Sequence, residues 1–300
     1  MMKKFLLFLL LYLFCWGVVV HAEEVKVFAS NYPLSFFAGK ISGKPGIVIF
    51  PGIEGDPAFW KPTTADIIKM QQSDIILLNG AAYEKWHTSA ALPKRKVVDT
   101  SKVFKGQYIV MEEAVDHAHG PGGAHSHSGT AFTTWIDFNQ AAFQAKAIKD
   151  AMVKRNIAAK ELLNRNFKSL FEELRDLDTA IHQMVQGQAQ IPLVASHPVY
   201  QYFARRYGLN IKAVLWEPDV FPDKHKWTHL EKILKKHPAK WMIWEGKPLA
   251  RSVAKLKEMG IESIVFDPCG NRPEQGDFLS VMKQNIEHLR LIYRQKKGKL

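Results

Sequence analysis

A long stretch without glycine or proline, residues 130–186, constrains the fold of this chain more than any other part of it. The chain contains 19 glycines and 15 prolines, yet none falls in this stretch. In its second half, large apolar residues recur at alternating intervals of four and three, which places them on one face of a helix. They are Leu163, Phe167, Leu170, Leu174, Leu177, Ile181 and Met184. The spacing therefore predicts one long amphipathic helix.

The expected limits of this helix make it unusually long. Asn156 can cap its start, and Gly187 marks its end. About thirty residues at ~1.5 Å per residue span about 45 Å, which exceeds the width of a small domain. Such a helix either connects two lobes or belongs to a helical bundle, and its periodicity alone does not distinguish the two.

Short apolar segments alternate with amphipathic ones on both sides of the helix. Before it, predicted strands cover residues 25–29, 46–50, 73–78 and 96–98, with helices at 32–41, 64–71 and 139–153. After it, predicted strands cover residues 191–195, 211–216, 241–244 and 263–267, with helices at 200–207, 227–236, 253–259 and 278–293. This alternation is typical of parallel sheets with helices on both faces. The sequence predicts an α/β fold of two similar lobes, each a parallel sheet flanked by helices, joined by one long rigid helix.

The first 22 residues have the pattern of a signal peptide. Lys3 and Lys4 precede an apolar run over residues 5–20, and a small residue, Ala22, follows at the expected cleavage point. An uncleaved membrane anchor is the alternative, although the run is short for a bilayer span. We expect export to the periplasm, an N-terminal lobe over residues 23–155, a linking helix over 156–187 and a C-terminal lobe over 188–300.

Charge and cysteine content narrow the function classes. Loss of Lys3 and Lys4 with the signal peptide lowers the formal net charge from +12 to +10, which suits a solvated surface, a membrane or an acidic partner. No nucleic-acid-binding module is recognisable. Of two cysteines the mature chain keeps Cys269, so no disulfide within the chain is possible.

A histidine-rich segment interrupts the α/β pattern at residues 111–129. Within this glycine-rich, flexible loop, His117, His119, His125 and His127 form two His-x-His pairs. Imidazole nitrogen is a preferred ligand of Zn²⁺, so the pairs suit metal binding. The alternative is a polar surface loop that binds metal only incidentally, because ordering a mobile loop costs conformational entropy.

Two further candidate ligands follow predicted strands. His197 comes after the strand at 191–195, and Asp267 ends the strand at 263–267. Ligands of parallel α/β sheets bind beyond the carboxyl ends of the strands, and both residues belong to the same expected sheet edge. Each could be a structural capping residue, but an imidazole and a carboxylate together supply half of a typical divalent-cation site.

Several motifs resemble those of the zinc and manganese solute-binding proteins of ABC importers, the ZnuA-like cluster. They occur in that family's order over nearly the whole mature chain, at residues 56–57, 62–66, 74–80, 84–86, 135–137, 196–209 and 266–268. The resemblance implies two α/β lobes joined by one long helix, with a divalent metal, zinc or manganese, held between them. It also implies a histidine-rich loop where residues 111–129 lie.

Two of the ligands that the resemblance implies are replaced. Ala58 and Thr133 stand where the family usually has histidines, whereas His197 and Asp267 are retained. Two more donors are therefore needed to close a tetrahedral Zn²⁺ shell. His119 and His127 could fold into the cleft and supply them.

Other donors also lie in the predicted cleft loops. Glu54 or Asp56 would give a harder, oxygen-rich site that suits Mn²⁺ or Fe²⁺. Glu217 and Glu245 lie in the loops of the second lobe. Cys269 would be a soft ligand if it were exposed, but burial is the simpler expectation for it.

A metal chelate is an alternative cargo. Phe59, Trp60 and Trp86 add aromatic surface beside the replaced positions, and Lys61 adds positive charge. Such a cleft could hold a metal already bound by an organic anion, although packing within the lobe is the simpler expectation for both tryptophans.

Enzymatic function is disfavoured because recognisable catalytic motifs are absent from the sequence. It contains no H-E-x-x-H, no G-x-S-x-G and no glycine-rich phosphate loop after a strand. We expect a monomeric, exported solute-binding protein that captures a divalent metal and delivers it to a membrane permease. A metal carrier or interaction protein that never engages a transporter is the alternative.

Overall fold

The computed structural model describes residues 25–53, 55, 59–111, 116–119, 123–126 and 129–293, with only the backbone described for 116–119 and 123–126. The expected signal peptide, the basic tail at 294–300 and the candidate ligand His127 lie outside the described residues. So do Ala58 and its neighbours Glu54 and Asp56. No helix in the described part of the chain is long and apolar enough to span a membrane.

The N-terminal lobe contains a four-stranded parallel sheet in the order β2-β1-β3-β4. Its strands are β1 (Val27–Ala29), β2 (Val48–Ile49), β3 (Ile75–Leu78) and β4 (Val97–Asp99). Helices α1 (Tyr32–Ser42) and α2 (Thr64–Gln72) connect the first three strands. Thr63 and Asp66 form a reciprocal capping box at the start of α2, which satisfies two backbone donors there.

The backbone of the histidine-rich segment forms two pairs of short antiparallel strands. Short strands β5 (Val110–Met111) and β8 (Gly129–Thr130) pair at its base. Between them β6 (Asp116–His119) and β7 (Gly123–Ser126) form an antiparallel pair, in which the backbone of His117 lies opposite that of His125.

The C-terminal lobe repeats the architecture with a parallel sheet in the order β10-β9-β11-β12. Its strands are β9 (Leu193–Ala195), β10 (Ile211–Ala213), β11 (Trp241–Trp244) and β12 (Glu262–Val265). Its helices are α5 (Gln201–Tyr207), α6 (Lys224–Lys236), α7 (Ala250–Glu258) and α8 (Phe278–Ile292). The predicted α/β fold of two similar lobes is confirmed.

Helix α3 (Phe138–Lys154) precedes the long helix α4 (Lys160–Val185), which has 26 residues. Asn156 does not cap α4: its φ of 52° is left-handed, and it follows the end of α3, where asparagine tolerates this conformation. Ala159 precedes α4 and makes no side-chain capping bond. The helix therefore begins a few residues later than a cap at Asn156 would place it.

One continuous apolar core runs through both lobes, and α4 lies along it. The predicted face of α4 is buried at Leu163, Leu170, Leu174, Leu177 and Ile181, while Phe167 and Met184 are partly buried against the same core. Helix α4 packs against α1 and α3 of the first lobe and α5 and α8 of the second. Directly between the lobes, the Phe37 ring meets the Phe278 ring edge-on, with centroids 5.2 Å apart.

An ion pair joins α4 to α5. Arg206 donates two hydrogen bonds to the Asp178 carboxylate, at 2.9 and 2.6 Å, and the Tyr207 hydroxyl donates a third at 3.0 Å. Burial alone would raise the pKa of Asp178, but these hydrogen bonds outweigh it and the pKa is lowered. The pair therefore fixes the orientation of α5, which follows directly after the His197 loop.

Candidate metal centre

Acidic and imidazole side chains follow the carboxyl ends of all four strands of the C-terminal sheet. Across that edge the order is Glu217 after β10, His197 after β9, Glu245 after β11 and Asp267 after β12. Because the strands are parallel, their carboxyl ends meet at one edge, where ligands of α/β sheets bind. His197 thus lies between two glutamates, with Asp267 one strand further away.

Backbone hydrogen bonds hold these strand ends in register. The N–H of Ser196, directly before His197, donates to the carbonyl of Ile243 at 2.8 Å. The N–H of Trp216, directly before Glu217, donates to the carbonyl of Ser196 at 2.8 Å. The side chains of His197 and Glu217 therefore extend from backbone that is held by a neighbouring strand or loop of the same sheet edge.

His197 and its two neighbouring glutamates form a compact group. The Nδ1 atom of His197 lies 3.5 Å from Oε1 of Glu217 and 3.5 Å from Oε1 of Glu245. Each residue offers one ligand atom, and these three atoms all lie within 4.8 Å of one another. The His197 side chain is 3% exposed, whereas the Glu217 and Glu245 side chains are 26% and 23% exposed. His197 is therefore the buried member of the group, and the two glutamates are its partly exposed members. The group could bind a divalent cation that reaches it from solvent.

Asp267, the other predicted ligand of this lobe, is not a member of that group. Its Oδ1 accepts a hydrogen bond from the Cys269 N–H at 2.6 Å, and its backbone exchanges two hydrogen bonds with the Asn285 side chain. Burial raises its pKa, and the bond from Cys269 opposes that shift only in part. Cys269 itself is buried, as expected, and burial raises the pKa of its thiol. A role for Asp267 as a ligand stays a prediction.

Thr133, which was predicted to stand at a replaced ligand position, joins the two lobes. It is buried, and its hydroxyl donates a hydrogen bond to the carbonyl of Val199, two residues after His197. Nearby, the indole N–H of Trp135 donates to the carbonyl of Pro268 at 2.7 Å. Residues 133–135, which precede α3, therefore hold the loops of His197 and Asp267 by hydrogen bonds from the opposite lobe.

The predicted aromatic surface at Trp60 and Trp86 is accounted for by packing. The two rings meet edge-on at 5.7 Å, and both pack against a small core that includes Phe28 and Met70.

Of the predicted ligands in the histidine-rich segment, only the backbone of His119 is described. Its contribution and that of His127 stay predictions.

The sequence contained a signal for the glutamates that motif reasoning did not use. Both follow a tryptophan at the end of a predicted strand, in Trp216-Glu217-Pro218 and Trp244-Glu245-Gly246. Both tryptophans are buried in the same core cluster of the C-terminal lobe, so each glutamate is the first residue after a buried aromatic side chain.

Comparison with known proteins decides the family. A family model described as the periplasmic component A of a zinc-uptake complex, ZnuA, matches residues 27–291. The chain belongs to the ZnuA family. Among relatives, the zinc-binding protein AdcA of Streptococcus pyogenes serotype M3 is 28% identical over 97% of this chain and 62% of its own length. The high-affinity zinc uptake system protein ZnuA of Bacillus subtilis is 26% identical over 89% of this chain and 87% of its own length. The chain thus spans less than two thirds of the AdcA relative.

Solved structures of other proteins share the fold. Zn(II)-bound AdcA from Streptococcus pneumoniae superposes with a TM-score of 0.76 at 21% identity, covering 92% of this chain and 59% of that one. FpvC from Pseudomonas aeruginosa, in complex with Mn²⁺, gives a TM-score of 0.70 at 18% identity, covering 91% and 99%. At these identities the likeness establishes the two-lobed architecture.

A buried glutamate lies at the corresponding sheet edge of the N-terminal lobe. The Glu84 carboxylate accepts hydrogen bonds from the Ser30 hydroxyl and from the backbone N–H groups of Asn79, at 2.6 Å, and Gly80, at 3.1 Å. Burial raises the pKa of Glu84 to about 7, although these hydrogen bonds oppose the shift. Glu84 thus fastens the ends of β1 and β3 and also titrates near neutral pH.

Stability is expected to fall as pH rises across the titration of Glu84. The pKa of Glu84 in the folded protein, about 7, lies above the ordinary glutamate value of 4.5, so unfolding releases a proton at pH values between the two. The Glu84 contribution should lower the free energy of unfolding by about 2–3 kcal/mol between pH 5 and pH 8. Urea unfolding of chelator-treated protein at both pH values measures it. Glu84→Gln should reduce the pH dependence by that amount; an unchanged dependence would show that Glu84 titrates normally.

Proposed function

We propose that the chain is an extracytoplasmic solute-binding protein that captures a divalent transition metal and delivers it to an ABC permease. The observation that carries this proposal is the group of one imidazole and two carboxylates at the carboxyl edge of the C-terminal sheet. Membership of the ZnuA family and the names of the zinc-binding relatives support the same cargo class. The expected signal peptide supports export, and a monomer suffices for the activity.

In this proposal the cation is captured by His197, Glu217 and Glu245. A neutral imidazole donates a nitrogen lone pair, and the two carboxylates balance the charge of the cation. Because α4 and a shared core connect the lobes, release requires only modest movement of one lobe against the other. Docking on the permease would supply that movement.

The histidine-rich segment would collect metal at low concentration and pass it to the cleft. His119 and His127 are the proposed donors, one from each His-x-His pair. Both pairs lie between β5 and β8 in the chain, and these two strands pair with each other at the base of the segment.

Reconstitution tests the proposed function. The permease and its ATPase are placed in vesicles that contain a metal-sensitive dye, and the metal-loaded protein is added with ATP. Uptake should require the loaded protein, and deletion of residues 117–127 should slow it mainly at low metal concentration. A protein that binds one metal per chain but never stimulates uptake would instead be a carrier without a transporter.

A further inference from the structure

We propose that a cavity beside α1 binds a small organic anion that carries an aromatic ring. The cavity has a volume of about 660 Å³, which lies within the range of small-molecule sites in proteins. Residues of α1, of the turn that follows α1 and of the loop between β12 and α8 line it. The candidate metal ligands His197, Glu217 and Glu245 do not, so the inference goes beyond the proposed function.

Two aromatic rings of α1 form the apolar wall of the cavity. Tyr32 and Phe36 lie one helical turn apart, with ring centroids 6.4 Å from each other. Each ring has a further aromatic neighbour: Phe50 lies 6.1 Å from Tyr32, and Phe278 of the opposite lobe lies 5.8 Å from Phe36. Because these contacts hold the two rings in place, they offer a rigid surface on which the ring of a ligand can pack.

The loop between β12 and α8 brings an arginine to the same wall. The Tyr32 N–H donates a hydrogen bond to the Gly270 carbonyl at 2.9 Å, which fixes this loop against the start of α1. The Arg272 guanidinium lies over the Tyr32 ring, 5.6 Å from its centroid. A guanidinium that stacks on a ring is already oriented, and its N–H groups can bind both oxygens of one carboxylate.

The charges around the cavity favour an anion. Lys40 lines the cavity beside Phe36, and Glu173 of α4 lies 3.4 Å from its amino group and offsets its charge. Within the part of the chain that the structure describes, Arg272 forms no ion pair. The nearby acid Asp277 accepts a hydrogen bond from the backbone at the start of α8. The charge of Arg272 is therefore available to a bound anion.

The exposure of these side chains gives the ligand an orientation. Lys40 and Arg272 are exposed, whereas Tyr32 is buried and Phe36 is partly buried. The acidic group of the ligand would therefore lie toward solvent, beside the two cations, and its ring would lie against the aromatic wall. A molecule with one carboxylate on a one- or two-ring aromatic body meets both requirements.

Isothermal titration calorimetry of the full mature chain with 2-naphthoate tests the proposal. Metal is first removed with a chelator, so that the probe carboxylate has no metal ion to bind. We expect one probe per chain, and binding about fivefold weaker or less for the neutral 2-naphthamide and for acetate. Equal affinity for 2-naphthoate and 2-naphthamide would overturn the assignment of an anion.

Two variants locate the binding site. Arg272→Gln should weaken 2-naphthoate binding about fivefold, and Phe36→Leu about threefold, because they remove the guanidinium and one ring of the wall. Arg251→Gln is the matched control and should change nothing: Arg251 is exposed on α7 and also lies over a ring, that of Phe221, but it does not line the cavity.

Circular dichroism of each variant verifies folding. Absence of binding by the unaltered protein, or an unchanged dissociation constant in both Arg272→Gln and Phe36→Leu, would overturn the proposal. Neither result bears on the proposed metal function, because no candidate metal ligand is altered.

Discussion

His197→Ala is expected to lower the affinity for divalent metal about 100-fold or more, equivalent to about 3 kcal/mol of binding free energy. His197 is the proposed nitrogen donor, and its Nδ1 atom lies 3.5 Å from an oxygen of each of the two glutamates. Without it, two carboxylates face each other across a site that lacks its buried ligand. Elemental analysis and isothermal titration calorimetry of the purified protein measure the loss.

The controls separate loss of the ligand from loss of the fold. His229→Ala changes an exposed histidine on α6 of the same lobe and should retain full metal content. A deletion of residues 117–127, measured in parallel, should lower the number of weakly bound ions but keep the tight site. Retention of tight binding in His197→Ala, with its loss in the deletion, would place the principal site in the histidine-rich segment.

Leu174→Ala is expected to destabilise the protein by about 3–5 kcal/mol, because it removes a large side chain from a fully packed position. Leu174 is completely buried on α4, in the core that both lobes share. The neighbouring structure can relax little around the cavity, since α1, α3 and α8 all pack on this helix. Urea unfolding of metal-free protein, followed by circular dichroism and tryptophan fluorescence, gives the free energy.

Glu172→Ala, at an exposed position of the same helix, is the matched control and should cost well under about 1 kcal/mol. Because the core is continuous, both probes should report one transition with the same midpoint. Two separated transitions in Leu174→Ala would show that the lobes unfold independently and that α4 couples them weakly.

The elements of the fold were predictable because their signals are local. Strand β11 has the predicted bounds, Trp241–Trp244, and the apolar face of α4 follows the predicted spacing. The start of α4 was not predictable in the same way. Asn156 can cap a helix or end one, and the choice depends on how α3 terminates.

The candidate site also has a part that local sequence signals predict and a part that they do not. Position after a strand singled out His197 from sequence, and the two glutamates were named only among several possible donors. Their pairing with His197 depends on β9 lying between β10 and β11, an order that differs from the order along the chain. The same order separates His197 from Asp267 by the whole of β11.

The sequence by itself determined the alternation of strands and helices, the buried face of α4 and the positions where side chains leave the ends of strands. These follow from hydrophobic periodicity, which neighbouring residues specify. Only the tertiary structure decided which strand ends meet. Glu217 and Glu245 approach His197 from residues 20 and 48 positions away in the chain, through crossovers whose helices must pack on the sheet. The composition of the candidate metal centre is therefore a property of strand order, which no local pattern encodes.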